Sequence, residues 1–227
     1  MAMSDGLVQL EERPTAQLIA DHLREQIIQG VFSPGQQINE SVLAGQLSTS
    51  RGPVREALQR LTQEGLLVSM RNRGVFVKEL TIEDIREMYA VREAIEKASA
   101  EILLAAEEGQ IDRTRQSLKE IVAEMSKQES SDWQEISRLD MEFHASFVAG
   151  TRNSRLMRIY DTLAAETRMC IHNLRVSYPR VDVLVQEHQE IVDKLGLRDL
   201  QGLQQVISHH MRKAVHDLSA AQDRSSP

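Results

Sequence analysis

The chain has 227 residues, 41% of them apolar, a formal net charge of −7 and a single cysteine, Cys170. This length and composition support one large or two modest domains with a real core, exclude a disulfide framework within one chain, and leave no apolar run long enough to span a bilayer. The overall acidity argues against a nucleic-acid binder until the charge is mapped: Ile38–Lys78 carries six Lys or Arg against three Asp or Glu, a local +3, whereas Glu79 onward carries 19 against 26, a local −7.

Residues 1–14 show no apolar periodicity and read as a disordered arm. There is no signal-peptide pattern and no cysteine pair, so a cytoplasmic location is the expectation. Over Thr15–Gln29, Leu18, Ile19, Leu23, Ile27 and Ile28 recur at helical spacing, and Gly30 supplies the stop. Pro34-Gly35 then turns the chain. Val42, Leu43 and Leu47 mark a short helix behind Asn39–Ser41, broken by the turn-forming Ser48-Thr49-Ser50. A second helix starts at Arg51, with Pro53 in its first turn, Val54, Leu58 and Leu61 as its apolar stripe and Gly65 at its end. Arg51, Arg55 and Gln59 share the other face at i, i+4 and i+8. That placement suits a helix offering arginines to guanine edges or phosphates in the major groove. Leu66–Ser69 and Gly74–Val77 read as strands around Met70-Arg71-Asn72-Arg73, a hairpin whose tip adds two cations. Residues 15–78 are therefore expected to form a winged helix-turn-helix that binds DNA.

The run S-R-x-x-V-R-E-A-L-x-x-L-x-x-E-G-L, at Ser50–Leu66, resembles the reading head of the GntR family of bacterial transcription regulators. That resemblance implies double-stranded operator DNA as the partner, with Arg51 and Arg55 as contacts and the tip residues Arg71, Arg73 and Gly74 at the minor groove. Gln59 completes the recognition face. Ser41 stands where many relatives have Arg, which implies a weaker or phosphate-only contact from the first helix of the motif. One arginine alone would read as an ordinary solvated charge; four on one motif at this spacing point to DNA.

From Thr81 the character changes. Thr81-Ile82-Glu83-Asp84 reads as a capping box opening a long helix through Ile85, Met88, Tyr89, Val91, Ile95 and Leu103. Further helices are expected at about 112–127, 132–149, 154–174, 181–195 and 200–220, from the apolar periodicity. The breaks are Gly109-Gln110, Gly150-Thr151-Arg152-Asn153, Ser177-Tyr178-Pro179 and Gly196-Leu197-Arg198-Asp199, and residues 222–227 read as a disordered tail. Residues 81–220 are thus expected to form an antiparallel all-α bundle for effector binding and dimerisation, making the protein mainly α.

Asp140 and His144 lie at i and i+4 on one helix face. His188 sits at the margin of the stripe Leu184, Val185, Ile191, Val192 and Leu195, and His210 follows Ile207 and Val206 by three and four residues. Each histidine alone reads more readily as a packed or surface residue. Together, three imidazoles and a carboxylate suit a divalent metal, zinc first, with nickel, manganese or iron as alternatives. The pattern D-x-x-x-H, a His 44 residues on and another 22 further resembles the FCD effector domain of the FadR-type branch of GntR regulators. It implies Asp140, His144, His188 and His210 as metal ligands, with coordination positions open to water or to a small carboxylate effector. It also implies that Arg92 faces this pocket and clamps the carboxylate; the other reading of Arg92 is an ion pair with Glu93 or Glu96. His209 is expected to be exposed, His172 and His216 have no assigned role, and Cys170 reads as a packed thiol.

The sequence thus points to a ligand-responsive transcription regulator, most often a repressor in this family, bound as a homodimer to a pseudo-palindromic operator, and not to an enzyme. Two alternatives stand beside it. One is a metal-dependent hydrolase or oxygenase built on the three-His, one-Asp set, which lacks any visible general base, nucleophile motif or cofactor loop. The other is a regulator whose metal is purely structural.

Overall fold

The computed structural model describes residues 15–129, 132–173 and 180–225. The expected N-terminal arm, the Ser177-Tyr178-Pro179 break and the end of the expected tail lie outside the described residues. The chain divides into two compact units, the first holding Val31–Lys78 and the residues up to Ile27, the second Ile28–Gly30 and the chain from Glu79 onward.

In the first unit, α1 (Thr15–Ile28) buries Ala16, Ile19, Ala20, Leu23 and Ile27. Leu18, expected in that stripe, is 52% exposed, because the small side chains of Ala16 and Ala20 take the inward positions. α2 (Glu40–Gln46) starts where the Asn39 side-chain oxygen accepts from the backbone N–H groups of Ser41 and Val42 at 3.0 and 3.2 Å. This helix buries Leu43 and Ala44 and leaves Val42 54% exposed, a second apolar residue displaced from its expected place by an alanine. Ser48, at φ 49°, turns the chain into α3 (Arg51–Gln63), which buries Val54, Ala57, Leu58 and Leu61. Arg24 on α1 donates through Nε and Nη2 to the two Glu64 oxygens at 2.7 and 2.8 Å, tying the support helix to the end of α3.

β2 (Leu67–Met70) and β3 (Gly74–Val77) pair antiparallel, with Met70 opposite Gly74. A strand the sequence does not reveal, β1 (Gln37–Ile38), adds to the free side of β3 and gives the order β1-β3-β2. Two residues carry no periodicity to detect. At the wing tip Asn72 adopts φ 61° and Gly74 φ 105°. The backbone angle calls for glycine at position 74, and the Gln37 amide that a Cβ there would push aside donates to the Arg73 carbonyl at 2.7 Å.

The described residues of the second unit form helices: α4 (Ile82–Leu104), α5 (Glu108–Met125), α6 (Trp133–Ala149), α7 (Ser154–Asn173), α8 (Val181–Gly196) and α9 (Leu200–Ser225). The Thr81–Asp84 capping box is present in both directions at the start of α4. α5 starts ahead of its expected position because Gly109, taken as a break, falls in the first turn, where backbone N–H groups lack intrahelical partners in any case. α9 continues past Ala220 into the expected tail, since Ala220-Ala221-Gln222 favours helix. α4 packs against α9, α7 and α6, while α5 packs against α6 and α8. The core draws Leu118, Ile136, Phe143, Phe147, Leu195 and Leu203 from four of these helices. No helix among the described residues is long and apolar enough to cross a membrane.

Candidate metal centre and DNA-binding face

On the head, Arg51, Arg55 and Gln59 are exposed on α3, opposite its buried stripe, and Ser41, Arg71, Arg73 and Gly74 are exposed as well. The Ser41 hydroxyl donates to the Asn39 side-chain oxygen at 2.7 Å, which commits its proton to the helix cap. The Arg73 guanidinium lies 5.8 Å from the centre of the Phe76 ring, held over the wing by a cation–π contact. Sequence reasoning missed Glu40, in the first turn of α2. Its carboxylate accepts from Arg55 Nε at 3.1 and 3.2 Å and from Arg55 Nη2 at 2.8 Å, and lies 3.9 Å from Arg51 Nε. The Arg55 hydrogen bonds hold the Glu40 carboxyl below its ordinary value.

In the bundle, the inner face of α6 carries Asp140, Phe143, His144 and Phe147, all buried. His188 on α8 and His210 on α9 turn towards the same point, and one ligating atom from each of Asp140, His144, His188 and His210 lies within 4.8 Å of all the others. The Nε2 atoms of His144 and His210 are 3.0 Å apart, and those of His144 and His188 are 3.3 Å apart. Asp140 Oδ1 lies 3.3 Å from His188 Nε2 and 3.9 Å from His144 Nε2. Phe143 packs edge-on against the His188 ring with centroids 4.3 Å apart and fixes its plane.

The opposite nitrogens of these rings define their tautomers. His144 Nδ1 donates to Glu96 Oε2 at 2.8 Å, His188 Nδ1 to the Leu184 carbonyl at 2.8 Å, and His210 Nδ1 to Glu187 Oε2 at 2.7 Å. Lys213 in turn pairs with the other Glu187 oxygen. A carbonyl or carboxylate oxygen can only accept, so each Nδ1 carries a proton and each ring turns its Nε2 towards the shared point. Burial pushes the His144 ring down to about 4, against the pull of Glu96, so it is neutral and able to ligate at neutral pH. Three Nε2 atoms and a carboxylate oxygen therefore converge on one buried point. Separations of roughly 3 Å are those of ligands about 2.0–2.2 Å from one shared ion. The donor set fits a divalent metal, with its outer hydrogen bonds already in place.

Arg92, on α4, is 1% exposed and stacks over the Tyr89 ring at 4.8 Å. Both sequence readings meet in it. Its Nη2 lies 3.7 Å from Glu96 Oε1, so the ion pair goes to Glu96, while Glu93 instead accepts from Lys97 and Ser208. Yet Arg92 Nε and Nη2, Glu96 Oε1 and the Tyr160 hydroxyl are all buried without a hydrogen-bond partner. Glu96 thus holds His144 with one oxygen and faces Arg92 with the other. The only signal for it was its place four residues after Arg92; nothing in the sequence marked Tyr160 or Glu187. His209 and His216 are exposed, and the His172 side chain lies outside the described residues. Burial pushes the Cys170 thiol up to about 12, as befits a packed, unreactive thiol. We expect Glu96→Gln to weaken zinc affinity about 10- to 100-fold in a competition titration with a chromogenic chelator, because the amide is a poorer acceptor for the His144 N–H. An unchanged affinity would remove Glu96 from the support of the centre.

A winged helix-turn-helix followed by a helical unit with a buried cluster of side chains able to hold a metal fits the class of transcription regulators. The comparisons agree. The model of the bacterial regulatory proteins of the gntR family matches residues 15–77, and the FCD domain model matches residues 87–213. The chain belongs to the GntR family, in its FadR-like branch with a C-terminal FCD domain. It is 27% identical over 198 residues to the uncharacterized HTH-type transcriptional regulator YdhC of Bacillus subtilis, covering 86% of this chain and 88% of that protein. It is 27% identical over 214 residues to the HTH-type transcriptional repressor RspR of Escherichia coli, covering 88% and 87%. Among solved structures, a GntR transcriptional regulator from Rhodococcus sp. RHA1 superposes with a TM-score of 0.70 at 26% identity, covering 91% of this chain and 98% of that one. This is a family of transcription regulators and not of enzymes, which sets aside the hydrolase or oxygenase alternative.

Proposed function

We propose that the protein is a ligand-responsive repressor that binds a pseudo-palindromic operator as a homodimer and takes a small carboxylate effector at the metal centre of its bundle. One observation carries the effector reading: a buried Arg92 with two N–H groups lacking acceptors stands beside a cluster of four metal-ligating side chains. Asp140, His144, His188 and His210 would hold the metal, with zinc favoured by the three imidazoles, and nickel, manganese or iron as alternatives. The bound ion supplies positive charge and a coordination position for an oxygen ligand. Arg92 supplies a planar pair of donors for the carboxylate, and Tyr160 adds a hydroxyl. A metal that served structure alone would leave those donors without purpose, which favours sensing over the structural reading.

On the head, Arg51, Arg55 and Gln59 would enter the major groove, with Arg71, Arg73 and Gly74 at the minor groove, while Ser41, its donors engaged by Asn39, would serve the helix cap. The repressor reading is supported by RspR, a relative described as a repressor. The effector alters operator affinity only as far as it binds the DNA-competent and DNA-incompetent forms unequally. The test is a gel-shift titration of metal-loaded protein on operator DNA with a panel of short mono-, di- and hydroxycarboxylates. We expect at least one acid to change operator affinity tenfold or more, and Arg92→Ala to lose that response while retaining metal and DNA binding. A response that survives Arg92→Ala would move the acid to another site.

A further inference from the structure

The two arginines of the recognition helix do not stand alone, because Glu40 reaches across from the first turn of α2 and engages one of them through two of its nitrogens. A guanidinium has two edges from which it can make paired hydrogen bonds, one through Nε and Nη2 and the other through Nη1 and Nη2. Glu40 occupies the first edge of Arg55, with contacts of 3.1 and 3.2 Å to Nε and 2.8 Å to Nη2. The Nη1 and Nη2 edge is left free. That edge matches the O6 and N7 acceptors of guanine in the major groove.

A carboxylate on a DNA-facing surface is costly for binding as such, since it repels phosphate and cancels one of the cations that displace counterions. Ordinary surface ion pairs also contribute little to folding. Glu40 therefore has no evident value either as a DNA contact or as a staple. Its geometry has a value for discrimination. A free arginine side chain samples many rotamers and settles readily on the nearest phosphate, whereas one gripped along its Nε edge presents its far edge in one direction and with its charge partly neutralised.

We propose that Glu40 is the positioning residue for operator specificity, bracing Arg55 so that its outer edge reads a guanine instead of a backbone phosphate. Arg51, whose Nε is 3.9 Å from the same carboxylate, is held more loosely and keeps more freedom to choose between base and phosphate. The inference rests on the reading of the head as the operator-binding unit and adds to it a division of labour: α3 supplies the reading group and α2 supplies its aim.

The test begins with operator duplexes selected by the full-length wild-type protein from a random-sequence pool. Affinities of wild type, Glu40→Ala and Glu40→Gln are then measured for the selected duplex, for an unrelated duplex, and for the selected duplex with 7-deazaguanine at each guanine in turn. In wild type we expect one 7-deazaguanine position per half-site to cost about tenfold, because N7 is lost from a paired contact. Glu40→Ala is expected to bind the unrelated duplex more tightly, with a salt slope steeper by up to about 0.9, and to lower the specific-to-nonspecific ratio about tenfold. The 7-deazaguanine penalty should nearly vanish in Glu40→Ala and be partly kept in Glu40→Gln, which retains one acceptor. A staple role would move melting temperature and not this penalty. If Glu40→Ala keeps both the ratio and the penalty, Glu40 does not aim Arg55. If wild type enriches no sequence, the operator-binding reading itself fails, and this inference with it.

Discussion

The double variant Arg51→Ala plus Arg55→Ala loses specific operator binding by about 100-fold or more, at the level expected when paired contacts to base edges are removed. Its melting temperature stays that of wild type. The side chains of Arg51 and Arg55 are 65% and 61% exposed, and neither belongs to the buried stripe of α3. Their loss therefore leaves the core packing of Val54, Ala57, Leu58 and Leu61 intact. The salt dependence should flatten too, with the log–log slope falling by about 1.8 if both cations displace counterions. Glu40 adds to the loss, because without its partners it faces the DNA as an uncompensated negative charge. Gel-shift titrations at several salt concentrations measure all of this. Operator affinity equal to that of wild type would remove α3 from the role of reading helix.

Removing the metal should have the second large effect. Elemental analysis of protein purified without a metal-affinity tag is expected to find about one divalent ion per chain, and His144→Ala plus His188→Ala to hold nearly none. An ion present at about a thousand times its dissociation constant adds roughly 4 kcal/mol to stability, so a chelator should lower the melting temperature of the bundle by about 10 °C. The geometry explains why the loss is not confined to the ion. Without it, the Nε2 atoms of His144 and His210, 3.0 Å apart, and the Asp140 carboxylate are left gathered in a site closed to solvent with no ion to hold them together. Wild-type protein that carries no metal, and whose melting is indifferent to a chelator, would overturn the assignment of this centre.

The reach of the sequence depended on whether a feature repeats along the chain or arises between distant parts of it. Asp140 and His144 were legible because one helical turn separates them, and His188 and His210 because each sits at a readable place beside an apolar stripe. Glu96 and Tyr160 were not, since their importance comes from packing against residues far away in the chain. Leu18 and Val42 misled in the same way: hydropathy ranks them above the neighbouring alanines, but a tight helix contact admits the alanine and turns the larger side chain outward. β1 is defined by its pairing with β3, a contact between residues that no local pattern announces. Glu40 falls between these cases. It is visible as an acid in the first turn of a short helix, but only the turn at Ser48 brings it onto the recognition arginines.

The buried Cys170 gives the protein a practical advantage for spectroscopy. With its thiol pushed up to about 12 by burial and only 2% exposed, the sulfur stays protonated near pH 8 and is shielded from reagents. A cysteine introduced at the exposed Ser33 of the head could then be labelled with a maleimide dye or a nitroxide while the native one stays in place. Two such labels in the proposed homodimer would form a ruler across the pair of reading heads. Their separation could be followed as metal, acid and DNA are added in turn.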